Sequence, residues 1–209
     1  MYNPRSHMTK TKNDVLKTIA ERHSTRQFSQ EPVSDEHLKL ILNAANQAPS
    51  AHNQQSWRFI VLAGEKKKGL ASLIASRAEQ FPRASAALLR MASRSITSAP
   101  VVIAISNTGE LIHHGAELFQ IDSKLSDDFF RTMEIQSSSA AVENLLIAAT
   151  SLGLASVWLG IMFLIKDDIL EYLNEPKGEF MAIIAVGHPE KRGISPQKRP
   201  LEKIARFVE

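Results

Sequence analysis

The pattern of apolar and polar residues along the chain predicts helices that alternate with short strands. Apolar residues at helical spacing predict a first helix from about Lys12 to Arg22. A second helix is predicted to begin after Ser34, a good N-cap residue, and to end near Gln47, because Pro49 disfavours a helical residue before it. Four apolar runs have the length and composition of strands: WRFIVL, APVVIAISN, ASVWLGI and EFMAIIAVGHP.

Further helices are predicted between and after these strands. Residues 66 to 98 are rich in alanine, leucine and arginine and predict two helices separated at a proline. The run SSSAAVENLLIAATSLGL predicts a strong helix, capped by Ser137 or Ser138 and ended by Gly153. The run KDDILEYLN predicts a short helix, whereas residues 107 to 131 have no clean period.

The predicted elements follow one another without an internal repeat or a low-complexity linker. This alternation indicates one layered α+β domain, which we assign to residues 9–209. Residues 1–8 include Ser6-His7-Met8, and we interpret them as a tag or a disordered N-terminus.

Composition narrows the class of protein. The chain has 209 residues, of which 44% are hydrophobic, and this is enough to bury a core. No apolar run approaches the roughly 20 residues of a membrane helix. Cysteine is absent, so disulfides and thiolate chemistry are excluded and a cytoplasmic location is expected. The net charge of +3 is mild and mostly dispersed, so we expect neither a nucleic-acid nor a membrane partner.

Common catalytic and metal-binding motifs are missing from the sequence. There is no GxGxxG after a strand, no GxxxxGK[ST] phosphate loop, no HExxH and no GxSxG elbow. The seven histidines have no zinc-ligand spacing. We therefore expect no metal site, and no side chain is a clear catalytic acid, base or nucleophile.

Two polar clusters remain to be explained. The first is RHSTR, in which Arg22, His23, Ser24 and Arg26 follow the predicted first helix. It fits an anion clamp, because planar guanidinium groups suit phosphate, but it also fits a solvated helix terminus. The second cluster, Ser50 to Gln55, fits either a ligand-binding loop or a turn with side-chain to backbone hydrogen bonds.

In their order and spacing, the two clusters resemble the N-terminal signature of the FMN-dependent nitroreductase family. In that family R-[RH]-S-x-[RK]-x-[FY] is followed, after one helix, by A-P-S-[SA]-x-N-x-Q-P-W-x-F. The later runs ENLLIAATSLGLASVWLGI and AIIAVGHPEKRGISPQKRPLEKI resemble the family's core helix, final strand and basic tail. The resemblance covers the chain from about Asp14 to Ile204.

The chain departs from the family pattern in two places. Ser56 stands where the family usually has a proline, so the loop before Trp57 is expected to be less rigid. Residues 107 to 131 match little, and family members often carry a variable segment there that covers the substrate.

The resemblance implies the fold, the assembly and the cofactor. The fold would be an α+β, three-layer α/β/α sandwich around a mixed, mostly antiparallel sheet. The molecule would be an intertwined homodimer with two FMN molecules at the subunit interface. NADH or NADPH would be the transient electron donor.

The resemblance also implies roles for residues near the two ends of the flavin. Arg22 and Ser24 would hold the phosphate with His23 alongside, and Arg26 would reach the pyrimidine edge of the ring. The basic tail would close on the phosphate through one of two residues, Lys198 or Arg199.

Other positions would contact the ring or the flavin of the partner subunit. Leu159 and Gly160 would present their backbone near the reactive edge of the ring. One loop resembles the segment that family members donate to the flavin of the other subunit, and its site residues are Pro49, Ser50, Ala51, Asn53 and Gln55.

The function that the resemblance implies is FMN-dependent NAD(P)H oxidoreduction by a ping-pong cycle. Expected acceptors are nitroaromatics, quinones and similar electron-poor compounds. The alternative is a dedicated family enzyme, such as an enone reductase, a dehalogenase or an oxidase-type dehydrogenase, with residues 107 to 131 as its lid. A remote alternative is a non-catalytic basic protein that binds nucleic acid or membrane phosphate through Lys66 to Lys68 and the tail.

Overall fold

A four-stranded sheet lies at the centre of the molecule. The computed structural model describes residues 13–119, 122–175, 179–191, 193 and 196–208. The strands are β1 (Trp57–Leu62), β2 (Val101–Asn107), β3 (Ala155–Trp158) and β4 (Glu179–Gly187), in the spatial order β1-β2-β4-β3. All three ladders are antiparallel, and a single parallel bridge joins Ser24 to Ser156. The predicted, mostly antiparallel sheet is confirmed.

Seven α-helices and four short 3-10 turns surround this sheet in the described part of the chain. The helices are α1 (Asp14–Glu21), α2 (Asp35–Asn46), α3 (Gly64–Arg77), α4 (Arg83–Ser98), α5 (Glu110–Phe119), α6 (Ser123–Ser151) and α7 (Lys166–Leu173). The 3-10 turns are Ala51–Asn53, Ala78–Gln80, Gly160–Ile165 and Leu201–Lys203. Ser34 caps α2 as predicted, because its hydroxyl accepts the His37 backbone N–H at 3.1 Å.

The sheet is covered by helices on both faces. Side chains alternate along a strand, so β2 directs Val102 and Ala104 to one face and Val101 and Ile103 to the other. The first face packs on α3, α4 and α7, and the second packs on α2 and α6. Because both faces are buried, β2 has no polar residue before Ser106. The three-layer α/β/α sandwich is therefore confirmed.

Helix α6 begins much earlier than predicted. Asp122, rather than Ser137 or Ser138, is its N-cap, and the Asp122 side chain accepts the N–H groups of Lys124 and Leu125. The predicted cap was wrong because the early half of α6 buries polar groups where an amphipathic helix would bury apolar ones. This half carries Ser126, Glu134 and Ser138, all fully buried.

Two other boundaries also differ from the prediction. Strand β3 ends at Trp158, and the chain continues as the 3-10 turn Gly160–Ile165 instead of a longer strand. The unassigned residues 107 to 131 contain α5 and the start of α6.

Residues 1–8 lie outside the described residues. None of the described helices is long and apolar enough to cross a bilayer.

Lys67 is a buried lysine inside the short basic run Lys66 to Lys68. Its ammonium group donates to the Thr97 carbonyl at 3.1 Å and to the Ala99 carbonyl, so it caps the C-terminal end of α4. Burial, followed by the charge of Lys68, lowers the pKa of Lys67. Lys67 thus differs from its neighbours Lys66 and Lys68, which are exposed at the start of α3.

We predict that Lys67→Met lowers the free energy of unfolding by about 1–3 kcal/mol, because the two carbonyls lose their buried donor. The control is Lys66→Met, at an exposed position, which we expect to change stability by less than about 0.5 kcal/mol. Urea denaturation of both variants measures the difference. Equal midpoints would contradict the capping role.

Candidate functional site

The RHSTR cluster lies in an extended segment that runs along one end of the sheet. Arg22 ends α1, and its backbone N–H donates to the Thr18 carbonyl at 2.9 Å. Thr25 N–H then donates to the Ser156 carbonyl at 2.9 Å, and Ser29 N–H to the His188 carbonyl at 2.9 Å. These bonds fix the segment against β3 and the residues after β4.

A cavity of about 660 Å³ opens beside this segment. It lies between residues 23–27, one face of α4 and the loop after β4. Three cations line it, Arg26, Arg94 and Lys191, against one carboxylate, Glu190. This balance favours an anionic ligand or a ligand that gains negative charge. The other lining residues are His23, Ser24, Thr25, Gln27, Met91, Ser95, Ser98 and Gly193.

A second cavity of about 220 Å³ shares Ser24 with the first. Here Arg22 lies with its Nε atom 3.6 Å from Oε1 of Glu143. Ser156 lines the same cavity, and its hydroxyl is buried and has no hydrogen-bond partner among the described residues. A buried hydroxyl without a partner costs free energy unless a ligand or water supplies one. The remaining lining residues are Leu146, Val157 and Trp158.

Sequence reasoning missed the contribution of α4. Arg94, Ser95 and Ser98 lie near the end of this helix and line the larger cavity with Met91. The signal in the sequence was weak, because arginine and serine on a helix usually mark an ordinary solvated face. Only the packing of α4 against the sheet brings Arg94 to the cavity of Arg26.

The structure separates the amide loop, residues 49–56, from both cavities. Neither cavity is lined by any of the loop's predicted site residues, and Asn53 and Gln55 are exposed. Within the loop, Gln55 N–H donates to the Ser50 hydroxyl at 3.1 Å, and Gln55 Nε2 donates to Asn53 Oδ1 at 3.1 Å. Ala51 N–H donates to the Ser137 hydroxyl at 3.1 Å, which fixes the loop to α6.

The amide loop holds three non-glycine residues in the left-handed region of backbone conformation. The φ angles are +52° at His52, +54° at Asn53 and +52° at Gln55. Such residues cost free energy and persist only where their surroundings hold them, often at functional sites. The strained, exposed amides therefore support a binding role for the loop, although they lie away from the cavities of their own chain.

The remaining predicted site residues lie after β3 and in the C-terminal tail. Leu159 is buried, and its backbone N–H donates to the Ile183 carbonyl at 2.9 Å. Gly160 is exposed, and a Cβ atom built there would meet nothing within 4 Å, so this backbone is open to a ligand. Lys198 and Arg199 are exposed and line neither cavity, so their role stays a prediction.

A buried glutamate lies beneath the amide loop. Glu134 of α6 is fully buried, and its Oε1 atom accepts the Leu111 N–H at 2.9 Å. Burial raises the pKa of Glu134, whereas hydrogen bonds from Leu111, the Ser56 hydroxyl and the Gly109 backbone oppose this rise. The negative charge of nearby Glu179 raises the pKa of Glu134 further. The protonated form of Glu134 is therefore favoured in the folded state relative to the unfolded state.

We predict a pH dependence of stability from this carboxyl group. Because folding raises its pKa, Glu134 stabilises the fold most below about 4.5, the ordinary value, and this contribution is lost as the pH rises through the raised pKa. Glu134→Gln should remove this pH-dependent contribution to stability, because glutamine does not titrate. The wild-type stability should then decline relative to the variant, with a slope of at most about 1.4 kcal/mol per pH unit.

Urea denaturation from pH 4 to 8 measures this difference. Glu79→Gln, at an exposed glutamate, is the control for loss of one surface carboxylate. A constant difference between wild type and Glu134→Gln across this range would contradict the prediction.

Comparison with known proteins adds an independent finding. Residues 19–188 match the model of the nitroreductase family. A protein of Archaeoglobus fulgidus, named as a candidate NADH dehydrogenase/NAD(P)H nitroreductase, is 30% identical over 85% of this chain and 86% of its own length. The FMN reductase [NAD(P)H] of Bacillus subtilis is 25% identical over 92% of this chain and 72% of its own. The matched span contains every residue named for the smaller cavity. It also contains those of the larger cavity except Glu190, Lys191 and Gly193.

The fold also agrees with a solved structure. A candidate nitroreductase from Desulfovibrio desulfuricans, crystallised in complex with FMN, superposes with a TM-score of 0.72 and is 29% identical. The match covers 95% of this chain and 99% of the other.

Proposed function

This chain belongs to the nitroreductase family, and we propose that it is an FMN-dependent NAD(P)H oxidoreductase whose flavin occupies the two cavities lined by Ser24. The observation that carries the proposal is the pair of cavities that meet at Ser24, one lined by three cations and the other by Arg22. FMN is a dianionic phosphate joined to a ring that becomes negative on reduction. When bound, it would supply the hydride chemistry.

The phosphate end fits the residues around Ser24. Arg22 would provide a cation and Ser24 a hydroxyl donor, with His23 alongside. The buried Ser156 hydroxyl lines this part of the site and would gain the hydrogen-bond partner that it lacks among the described residues. We propose that Lys198 or Arg199 supplies the second positive charge.

Glu143 sets a limit on phosphate binding. Its carboxylate lies 3.6 Å from Arg22 and is half exposed, so it already neutralises part of the guanidinium charge. A phosphate bound at Arg22 would have to compete with Glu143 or share the cation with it. This acidic neighbour would make FMN retention weaker than in a site without it.

The ring end fits the larger cavity. Arg26 and Arg94 both line it, and a fixed cation near the pyrimidine edge stabilises the negative charge of a reduced flavin. Leu159 and the open backbone at Gly160 would lie toward the ring, where the absence of a side chain permits close approach. These residues bind and tune the flavin rather than transfer protons themselves.

We further propose that the chain forms a homodimer and that the amide loop serves the flavin of the partner. Helix α1 supports the dimer, because its predicted apolar face is exposed in the single chain, with Val15 62% exposed. Ile204, Phe207 and Val208 in the tail are also exposed. Asn53 and Gln55 are exposed on a strained loop and line neither cavity of their own chain, which suits a contribution to a neighbouring subunit.

The acceptor is proposed by chemical class. Nitroaromatics, quinones and similar flat, electron-poor compounds are the proposed acceptors, in a ping-pong cycle with NADH or NADPH. A dedicated family enzyme is the second candidate, because α5 and the start of α6 form an ordered element where a specific lid would lie. The basic-binding alternative loses support, since Lys67 is buried and Lys68 pairs with Glu65 at 2.7 Å.

The test of the proposed function is the identity of the bound chromophore, followed by a panel of acceptors. We expect the purified protein to be yellow and its flavin absorbance to be bleached by NADH or NADPH under anaerobic conditions. A protein that is colourless and does not take up added FMN would contradict the proposal. One acceptor far ahead of nitroaromatics and quinones would favour the dedicated enzyme.

The phosphate end gives a paired prediction. Arg22→Ala should weaken FMN binding by about 10- to 100-fold, because a charge-assisted hydrogen bond is lost. Glu143→Gln should strengthen it by up to about fivefold, since an exposed ion pair that competes for Arg22 is removed. Quenching of FMN fluorescence during titration measures both affinities.

The double variant is the control for this pair. In the Arg22→Ala background, Glu143→Gln should change FMN affinity little, because there is no guanidinium group left to release. An equal gain in both backgrounds would mean that Glu143 acts on the phosphate without Arg22. Unchanged FMN affinity in Arg22→Ala would remove Arg22 from the site.

A further inference from the structure

Three contacts join the amide loop to helix α5 and to the residues just before it. At the outer end the His52 ring meets the Phe119 ring edge-on, with centroids 5.6 Å apart. Halfway along, Gln54 Nε2 donates to Glu110 Oε2 at 3.4 Å. At the base, Thr108 N–H donates to the Ser56 carbonyl at 2.8 Å. The two segments therefore form one surface, although about fifty residues separate them in the chain.

Glu134 is the buried group that joins the bases of both segments. Its carboxylate accepts the N–H of Leu111, in the first turn of α5, and faces the hydroxyl of Ser56, at the end of the amide loop. Its Oε2 atom has no hydrogen-bond partner among the described residues. A carboxyl group this deeply buried is costly unless hydrogen bonds offset its desolvation.

A serine at position 56 suits both the buried carboxyl group and the backbone of the amide loop. Its side chain is 3% exposed, beside Glu134, where a proline would offer no hydroxyl. The preceding residue, Gln55, has a φ angle of +52°, whereas a residue before proline is restricted to extended conformations. The serine thus permits the left-handed turn that the loop adopts and places a hydroxyl beside the carboxyl group.

The charged groups around Glu134 come from three elements. Glu179 of β4 is the nearby carboxylate, and it is held by Arg131 of α6, whose Nε atom lies 2.8 Å from Glu179 Oε1. Glu110 of α5 is bound by Gln54 of the loop. Arg131 is thus paired with Glu179, and the hydrogen-bond donor to Glu134 among the described residues is the neutral Leu111 N–H.

We propose that Glu134 is a positioning residue that holds helix α5 and the amide loop together as one unit. If the amide loop serves the partner's flavin, as the proposed function states, this unit forms the wall that an acceptor meets over that flavin. Glu134 then controls acceptor binding from a position that the acceptor does not touch. Ser56 is its partner on the loop.

Three variants test this role. Glu134→Leu removes the acceptor of the Leu111 N–H, and Glu134→Gln keeps an oxygen at the same place and should rescue the effect. Ser126→Ala is the matched control, since Ser126 is also fully buried in the early half of α6 and its hydroxyl has no partner among the described residues. Each variant is prepared as the full chain with its bound cofactor.

The first measurement is amide hydrogen exchange followed by mass spectrometry. In Glu134→Leu, exchange should increase by about tenfold or more in residues 49–56 and in residues 108–119 together, because both lose one shared anchor. Residues 64–77 of α3 should not change. Faster exchange in one segment alone, or an equal response in Ser126→Ala, would overturn the proposal.

The second measurement separates this inference from the proposed function. In an active enzyme, Glu134→Leu should raise the KM for the acceptor several-fold more than it lowers kcat, and Glu134→Gln should restore it. An unchanged acceptor KM would overturn the positioning role. If the wild type binds no FMN, the proposed function fails, and the exchange experiment still decides whether Glu134 joins the two segments.

Discussion

The hydrogen bonds between the segment after α1 and the end of the sheet are the constraint on which the candidate site depends. Thr25 bonds to Ser156 on β3, and Ser29 bonds to His188 after β4. Phe28 is buried between these points and fills the core beside Gly187. An extended segment held at both ends and by a buried ring between them has little freedom. The backbone that carries Arg26, and beside it Ser24, is therefore held against the end of the sheet.

This arrangement determines the electrostatics of the site. Arg26 meets Arg94 and Lys191 at one cavity, and three cations in a partly enclosed space act more strongly than at an open surface. Arg22, on the other side of Ser24, is partly neutralised by Glu143. The ring end of the proposed flavin would thus meet an excess of positive charge, whereas the phosphate end has a competing carboxylate.

The other side of the molecule depends on polar groups inside α6. Ser137 accepts the Ala51 N–H of the amide loop, Ser138 donates to Asn107 at the end of β2, and Glu134 accepts the Leu111 N–H of α5. Such a network is costly to bury, but it specifies one arrangement of loop and helix where an apolar surface would allow several. The same residues explain why α6 has no clean apolar period before Ser139.

Most of the fold could be predicted because local signals agreed with burial. The strand WRFIVL, the Ser34 cap and the proline between α3 and α4 were interpreted correctly, since apolar runs, caps and prolines act over a few residues. The start of α6 and the end of β3 were predicted wrongly, because distant parts of the chain decide which of their residues are buried.

The cationic segment Arg22 to Arg26, the amide loop and the alternation of helices and strands are all legible in the amino-acid sequence. The packing of the chain places Arg94 at the first cavity, keeps the amide loop apart from it and buries Glu134 beside Ser56. The physical reason is that chemical type belongs to each residue, whereas proximity and desolvation arise only when remote elements pack against the same sheet.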